Sequence, residues 1–202
     1  MIKTNVTAIV LAAGSSSRME GDNKLTRCID DDPLLLRSIK QVLASNVQKC
    51  IVVLSELNDD LTQMLTGINV EIVTCRNADE GMSASMRSGI LAAGEDTSAY
   101  MICLADMPDL KIEHFNLVID AYDPENNRLI IRPKTISDQF GHPVLFDSSY
   151  YSDLLSLDGD IGAKAVIKDH SGRVYELEMD DAVITDLDTP QAWMDWQAQR
   201  RK

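Results

Sequence analysis

The first apolar segment of the chain constrains its fold most strongly. Residues 6–12 form a continuous apolar run, and Gly14 marks its end. An apolar run without polar alternation is typical of a strand that is buried on both faces of a parallel sheet. The crossover connections of such a sheet place helices on its faces. The segment therefore predicts an α/β fold with a mostly parallel sheet.

Apolar runs alternate with segments of helical periodicity through the first half of the chain. Further strands are predicted at residues 50–54, 70–74 and 101–104. Helices are predicted at 34–45, after the capping residue Asn58, at 82–93 and at 112–122. The order βαβαβαβα implies right-handed crossovers between parallel strands.

The second half of the chain is less regular. Strands are predicted at 129–133, 143–146, 174–177 and 183–186, and the last two are expected to form an antiparallel edge of the sheet. Two short helices are predicted at 150–155 and 163–169, and a terminal helix begins at Pro190. At 202 residues the chain has the length of one α/β domain, so we expect a single domain over 1–202.

Charge and composition exclude several classes of partner. The formal net charge is -13, whereas binding to a nucleic-acid backbone requires clustered Lys and Arg. No apolar run reaches membrane-spanning length, and the first residues leave no room for a secretory leader. The four cysteines stand far apart without CxxC spacing, which favours reduced packing residues in a cytoplasmic protein. A small anionic ligand needs only a few local cations and remains compatible with this charge.

The loop after the first strand favours phosphate binding. Ala12, Ala13 and Gly14 carry little or no side chain, so their backbone groups can contact a base or a phosphate directly. Three serines follow, and then Arg18 and Lys24 supply positive charge for a triphosphate. The loop matches neither GxGxxG nor GxxxxGK[ST], and a flexible surface turn is the alternative interpretation.

A carboxylate follows the fourth predicted strand directly. Asp106 lies in the segment LADMP, which ends that strand abruptly. Open α/β sheets bind their ligands at the carboxyl ends of strands. Magnesium is usually held by one or two carboxylates together with phosphates. Asp106 is therefore the first candidate for a Mg²⁺ ligand.

Six segments, in order along the chain, resemble the motifs of one enzyme family. The string LAAGSSSRM, followed by Lys24, resembles a signature LAxGxSxRMG followed by a Lys. The other five are EGMSASMRSG, LADMP, GHPVLF, GDIGAK and DLDTP. These six matches extend over nearly the whole chain, which thus resembles the nucleotidyltransferases related to the molybdenum cofactor cytidylyl- and guanylyltransferases.

The resemblance implies a fold and an activity. The fold is a Rossmann-like three-layer sandwich of the nucleotide-diphospho-sugar transferase type, whose N-terminal half binds the nucleotide and whose C-terminal half binds the acceptor. The activity is Mg²⁺-dependent transfer of CMP from CTP to the terminal phosphate of the molybdenum-pterin cofactor, with release of pyrophosphate and delivery of the product to a molybdoenzyme. The LAAG form favours the cytidylyl branch. The alternatives are use of GTP, another phosphorylated acceptor, or a non-catalytic module that binds a nucleotide or delivers a cofactor.

The resemblance also implies roles for single residues. The implied catalytic residues are Arg18, Lys24 and Asp106. The metal ligands are Asp106 and Asp188, with Asp186 as a rival to Asp188. The residues that contact the nucleotide are Leu11, Ala12, Ala13, Gly14, Gly81 and Ser85. The residues that contact the acceptor are His142, Asp160 and Lys164.

Structural interpretations stand beside several of these roles. Asp188 is alternatively the N-cap of the Pro190 helix, and Asp160 the cap of a helix near Gly162. Gly81 and Ser85 are alternatively a helix start and a solvent-facing serine. His142 is alternatively a structural histidine, and Arg87 only a surface cation.

Two positions differ from the family pattern. Ala105 replaces the usual Gly before the metal-binding Asp, which a tight turn absorbs unless the position requires a positive φ. The segment between Arg18 and Lys24 is one residue longer than usual, which bears on how far Lys24 reaches.

Overall fold

The apolar segment at the start of the chain is a fully buried strand, β1, Val6–Leu11. The computed structural model describes residues 5–16, 19, 23–159 and 162–200. Within these ranges β1 lies near the middle of a seven-stranded sheet.

The other elements follow in chain order. The remaining strands are β2 Cys28–Ile29, β3 Asp32–Pro33, β4 Lys49–Ser55, β5 Glu71–Cys75, β6 Ala99–Leu104, β7 Ile130–Lys134, β8 Val144–Asp147 and β9 Val174–Glu178. The α-helices are α1 Leu34–Ala44, α2 Asp59–Met64, α3 Met82–Ala93, α4 Ile112–Ala121, α5 Tyr151–Leu155, α6 Lys164–Asp169 and α7 Pro190–Arg200. Strands β2 and β3 pair only with each other, in a small antiparallel ribbon.

The sheet is mostly parallel, as predicted. Its strand order is β5-β4-β1-β6-β8-β7-β9. Strand β8 runs antiparallel to both of its neighbours, and the other described pairs in this sheet are parallel. Strands β1, β4, β6 and β7 therefore end at the same edge, whereas β8 begins there. We call this the carboxyl edge.

Helices cover both faces of the sheet. Along β1, Ala8 and Val10 belong to one apolar cluster and Ile9 and Leu11 to another, as expected for side chains that alternate across a strand. The first cluster includes residues of α1, α4 and α7, and the second includes residues of α3, α5 and α6. This arrangement confirms the predicted three-layer fold.

Two predictions about the late strands are wrong. Strand β9 does lie at the edge of the sheet, but it pairs in parallel with β7, because the chain crosses over through α5 and α6 before it returns. Residues 183–186 do not form a strand. A 3-10 helix occupies Asp181–Val183, and the Val183 carbonyl accepts a hydrogen bond from the His142 N–H at 2.8 Å.

Two further observations concern the helices. Asn58 stands at the N-cap position of α2 but makes no side-chain capping bond. Among the described helices, none is both long and apolar enough to cross a membrane.

Candidate active site

Three charged side chains from distant parts of the chain meet at the carboxyl edge. The Lys24 ammonium donates hydrogen bonds to Oδ2 of Asp106 and Oδ1 of Asp188, residues that lie 82 and 164 positions away in sequence. The exposed fractions of the three side chains are 13%, 14% and 29%. The fold therefore brings the predicted phosphate-binding cation together with both predicted metal ligands. We call these three residues the Lys24 cluster.

The local backbone before Lys24 accounts for its reach. Asn23 is the N-cap of a 3-10 helix at Lys24–Thr26, and its side-chain oxygen accepts a hydrogen bond from the Leu25 N–H at 3.1 Å. Leu25 is buried in the core, which anchors this turn. The additional residue before Lys24 thus does not prevent its side chain from reaching Asp106.

Ala105 fits its position without strain. Its φ lies outside the left-handed region, so this turn does not need the glycine of the family pattern. The Ala105 N–H donates to the Leu11 carbonyl at 3.3 Å, and its own carbonyl accepts from the Ser38 hydroxyl at 2.9 Å. These bonds hold the turn that presents Asp106.

The segment that carries Asp188 is tied directly to the Asp106 turn. The Leu187 N–H donates to the Asp106 carbonyl at 3.1 Å, and the Leu187 side chain is fully buried. The hydroxyl of Thr189 accepts a hydrogen bond from the Ala192 N–H at 3.1 Å. Thr189 therefore supplies a side-chain cap for α7, the role that the alternative interpretation gave to Asp188.

The electrostatics of the site favour a cation. Burial alone would lower the pKa of Lys24, but the charges and hydrogen bonds of Asp106 and Asp188 have a larger effect in the opposite direction. The pKa of Lys24 is therefore raised above its usual value. Burial, and then the negative charges of Asp188 and Asp106, raise the pKa of Asp186. Three carboxyl groups thus interact around one ammonium group. In the described part of the chain, Oδ1 of Asp106 is buried without a hydrogen-bond partner.

This donor set fits a magnesium ion. Carboxylate oxygens are ligands that Mg²⁺ prefers, and the ion is usually bound by one or two carboxylates together with substrate phosphates. Among the residues described, no three His, Cys, Asp or Glu side chains lie close enough to hold a metal by themselves. Such a site would therefore be completed by a substrate.

The loop after β1 is open at Gly14 and Ser15, within the segment that the sequence predicts to bind the nucleotide. The Ala12 N–H donates to the Val53 carbonyl at 2.9 Å, and Ala12 and Ala13 are buried. Gly14 and Ser15 are exposed, and a Cβ added to Gly14 would meet no atom within 4 Å. Ser16 has a φ of 49°, in the left-handed region that a non-glycine residue rarely adopts. The predicted catalytic residue Arg18 lies outside the described residues.

The second predicted nucleotide loop begins α3. Gly81 has a φ of 105°, a conformation that favours glycine. Ser85 is only 6% exposed, so the alternative of a solvent-facing serine is wrong. The hydroxyl of Ser83 is buried and has no hydrogen-bond partner within the described ranges. Sequence reasoning missed Ser83, because the packing of α3 decides its burial and the local sequence carries no signal of it.

Arg87 has a structural role that sequence reasoning also missed. Its guanidinium donates to the Leu157 carbonyl and, at 3.3 Å, to a carboxylate oxygen of Glu80. The side chain ties α3 to the segment that follows α5. The alternative of a mere surface cation is therefore wrong.

The predicted acceptor residues lie at the start of β8 and of α6. Nδ1 of His142 lies 3.5 Å from the Ile102 carbonyl. Burial lowers the pKa of His142, which favours the neutral ring. Lys164 is the exposed first residue of α6. Asp160 lies outside the described residues.

A glycine sets the position of the His142 turn. A Cβ on Gly141 would lie 2.0 Å from the Val183 carbonyl oxygen, so the 181–183 segment packs directly on its backbone. The family motif GHPVLF thus places a glycine where two backbone segments touch.

Comparisons with known proteins give matches over most of the chain. The model of the MobA-like NTP transferase domain matches residues 8–174. Purine catabolism protein PucB of Bacillus subtilis is 28% identical over 196 residues, which are 92% of this chain and 92% of the relative.

Solved structures share the fold over nearly the full chain. Rv0371c of Mycobacterium tuberculosis superimposes with a TM-score of 0.84 at 23% identity, over 100% of each chain. A complex of the same protein with manganese has a TM-score of 0.78 at 22% identity, over 95% of this chain and 97% of that one. The nucleotidyl transferase Mth528 of Methanothermobacter has a TM-score of 0.82 at 20% identity, over 96% and 97%. The family match covers most of β1, its loop, the Asp106 turn and the His142 turn, and the chain is therefore a nucleotidyltransferase that belongs to the MobA-like NTP transferase family.

Proposed function

We propose that this nucleotidyltransferase transfers CMP from CTP to the terminal phosphate of the molybdenum-pterin cofactor, with Mg²⁺ as its metal. The observation that carries the proposal is the Lys24 cluster, which joins one cation and two carboxylates at the carboxyl edge beside the open Gly14 loop. The LAAG form of that loop supports a pyrimidine nucleotide. The Bacillus relative is named for purine catabolism. We propose that this chain acts in the same process and that a molybdoenzyme of that process receives the product.

The proposed reaction is a substitution at the α-phosphorus of CTP. An oxygen of the acceptor phosphate forms a bond to this phosphorus, and the bond to the oxygen that bridges the α- and β-phosphates breaks. Pyrophosphate leaves with the electron pair of that bond. A phosphomonoester is largely ionised near neutral pH, because its second pKa is about 6, so no protein base needs to remove a proton. The barrier is chiefly electrostatic, since two anions approach each other.

Lys24 and Arg18 are the proposed partners of the β- and γ-phosphates. In the structure both Asp106 and Asp188 accept hydrogen bonds from the Lys24 ammonium. The phosphates of CTP would compete with these carboxylates for the same ammonium group. Lys24 would then stabilise the negative charge that develops on pyrophosphate as it leaves.

Asp106 and Asp188 are the residues that would hold Mg²⁺, with Asp186 as the alternative to Asp188. The buried, unpartnered Oδ1 of Asp106 is the observation that supports Asp106. When bound, the ion supplies positive charge to the phosphate oxygens. The bond from the Leu187 N–H to the Asp106 carbonyl keeps the two acidic segments side by side.

The remaining contacts divide between the two substrates. The backbone of Leu11, Ala12, Ala13 and Gly14 is proposed to contact CTP, together with Gly81 and Ser85 at the start of α3. On the acceptor side we propose His142, Asp160 and Lys164. A neutral His142 ring can donate a hydrogen bond to the acceptor phosphate without adding charge.

The test is a turnover assay with purified protein, Mg²⁺, the molybdenum-pterin cofactor and each NTP separately. We expect release of pyrophosphate and formation of the CMP-linked cofactor with CTP, and little product with GTP. Preference for GTP would assign the chain to the guanylyl branch. No pyrophosphate with any NTP would refute the proposal for this acceptor, and sugar and isoprenoid phosphates would then be tested.

A further inference from the structure

Arg132 is a cation at the carboxyl edge that the proposed reaction does not use. It lies on β7, which runs parallel to β6 and therefore ends at the same edge as the Asp106 turn. Ile130 belongs to the apolar cluster beneath α3, α5 and α6, and Arg132, two residues further on, projects from the same face. This is the face from which α6 presents Lys164.

The guanidinium of Arg132 is half-buried and unpaired. In the part of the chain that the structure describes, no carboxylate lies within 4.0 Å of it, and it makes no hydrogen bond. Its neighbour in register on β9 is Glu176, but the carboxylate of Glu176 pairs with Lys134 at 3.0 Å. Lys134 also pairs with Asp138 at 2.8 Å. In a chain with 32 acidic residues, one strand thus carries a doubly paired Lys and an unpaired Arg.

The surroundings of Arg132 are preorganised for an anion. Its guanidinium lies over the Phe140 ring at 3.7 Å from the centroid, which restricts the plane of the fork. Burial lowers the pKa of Arg132 in the absence of a counter-ion, and the charge of Glu176 only partly offsets this. The charges of Asp106, Arg132 and Lys164 all act on the His142 ring. An anion bound to Arg132 would lie at the carboxyl edge, where the Asp106 turn also lies.

We propose that Arg132 binds the phosphate of the acceptor and so selects phosphomonoesters as acceptors. A planar guanidinium can donate two parallel hydrogen bonds to a phosphate, which sets the orientation of the attacking oxygen as well as its position. Phe140 holds the fork, and Lys164 supplies further positive charge. The identity of the acceptor rests on the proposed function, whereas the binding of phosphate by Arg132 does not depend on it.

The experiment compares Arg132→Gln with a control just before the start of the same strand, Arg128→Gln, whose guanidinium lies over the Tyr175 ring at 4.2 Å from the centroid. Inorganic phosphate is titrated calorimetrically into protein saturated with Mg²⁺ and α,β-methylene-CTP, which fills the nucleotide phosphate sites. We expect Arg132→Gln to weaken phosphate binding about 10- to 100-fold, as for the loss of charge-assisted hydrogen bonds, and Arg128→Gln to leave it within about 2-fold. Arg132→Lys should recover part of the affinity. Thermal unfolding checks that each variant is folded.

Steady-state kinetics supply a second measurement. With CTP and the pterin acceptor, Arg132→Gln should raise the KM for the acceptor about 10-fold or more and leave the KM for CTP within about 2-fold. Wild-type phosphate affinity in Arg132→Gln, or a rise in the KM for CTP alone, would overturn the inference. If wild-type protein shows no turnover but Arg132→Gln still loses phosphate binding, the proposed function fails and the anion site stands.

Discussion

Removal of the Lys24 ammonium should destabilise the protein in a way that a divalent cation reverses. In Lys24→Met the side chain keeps its length, but Asp106 and Asp188 lose the cation that both of them contact. Removing one partner of a buried ion pair typically costs about 3–5 kcal/mol, since it leaves a buried charge uncompensated. Asp188 is 29% exposed, so water screens part of this penalty. We therefore expect a loss near the lower value, about 3 kcal/mol.

That loss is large enough to measure by thermal unfolding. For a chain of this size, 1 kcal/mol corresponds to about 2–4 °C, so the Tm in EDTA should fall by about 6–12 °C. A divalent cation that binds between the carboxylates of Asp106 and Asp188 should restore stability by about 2.7 kcal/mol at 100 times its Kd. Mg²⁺ and Mn²⁺ should thus raise the Tm of Lys24→Met more than that of the wild type. In the wild type the ammonium competes for the same oxygens.

Two controls separate this effect from general damage. Lys40→Met removes an exposed ion pair with Asp32, whose side chains are 54% and 36% exposed, and should cost at most about 1 kcal/mol with no dependence on metal. Adding Asp106→Asn to Lys24→Met should recover stability in EDTA and remove the response to Mn²⁺. A wild-type Tm for Lys24→Met in EDTA, or equal Mn²⁺ shifts in both proteins, would show that the Lys24 cluster does not behave as a buried ion pair.

Three further predictions test other parts of the site. Asp106→Asn should lower kcat by about 100-fold or more, measured as pyrophosphate release, because it removes a charge at the reacting phosphates. Gly141→Ala should cost about 1–3 kcal/mol in urea unfolding, because its Cβ would lie 2.0 Å from the Val183 carbonyl oxygen. Thr189→Ala should cost about 1 kcal/mol through loss of the α7 cap, also measured by urea unfolding.

Each of these has a matched variant. Asp109→Asn lies three positions after Asp106 and contacts Trp196 instead of the Lys24 cluster, so it should retain most of the activity. Gly172→Ala adds a Cβ that meets no atom within 4 Å and should be nearly neutral. Thr189→Ser keeps the hydroxyl and should keep the cap. If the two variants of a pair gave the same result, the contact named for that pair would not be the cause of the loss in activity or stability.

Local patterns explain why so much of the fold was predictable. A strand buried on both faces needs an unbroken apolar run, and β1 shows one, so its place inside the sheet can be read directly from residues 6–12. The buried face of α1 is marked in a similar way by the helical spacing of Leu34, Leu35, Ile39 and Val42, because side chains three or four positions apart lie on one face of a helix. The order of these elements then leaves few topologies open, because parallel crossovers are right-handed.

Segments whose conformation depends on distant partners were not predictable in this way. Residues 183–186 have an apolar start that suits a strand, but the Val183 carbonyl bonds to His142 at the carboxyl edge, away from the strand ladders. Ser85 looks like a surface residue of a helix until α3 packs onto the sheet. The hydrogen bond from Arg87 to the Leu157 carbonyl joins residues that are 70 positions apart, so no local sequence pattern indicates it.

The sequence by itself determined the α/β class, the order of the main elements, and the residue types at the site: small residues after β1, a Lys behind them, and acidic residues after β6 and before α7. Only the tertiary structure decided how these residues meet. Lys24, Asp106 and Asp188 share hydrogen bonds because three chain segments converge at the carboxyl edge, and Arg132 lacks a counter-ion because Lys134 takes the carboxylate of Glu176. Charge pairing depends on distances in space, which sequence spacing does not encode.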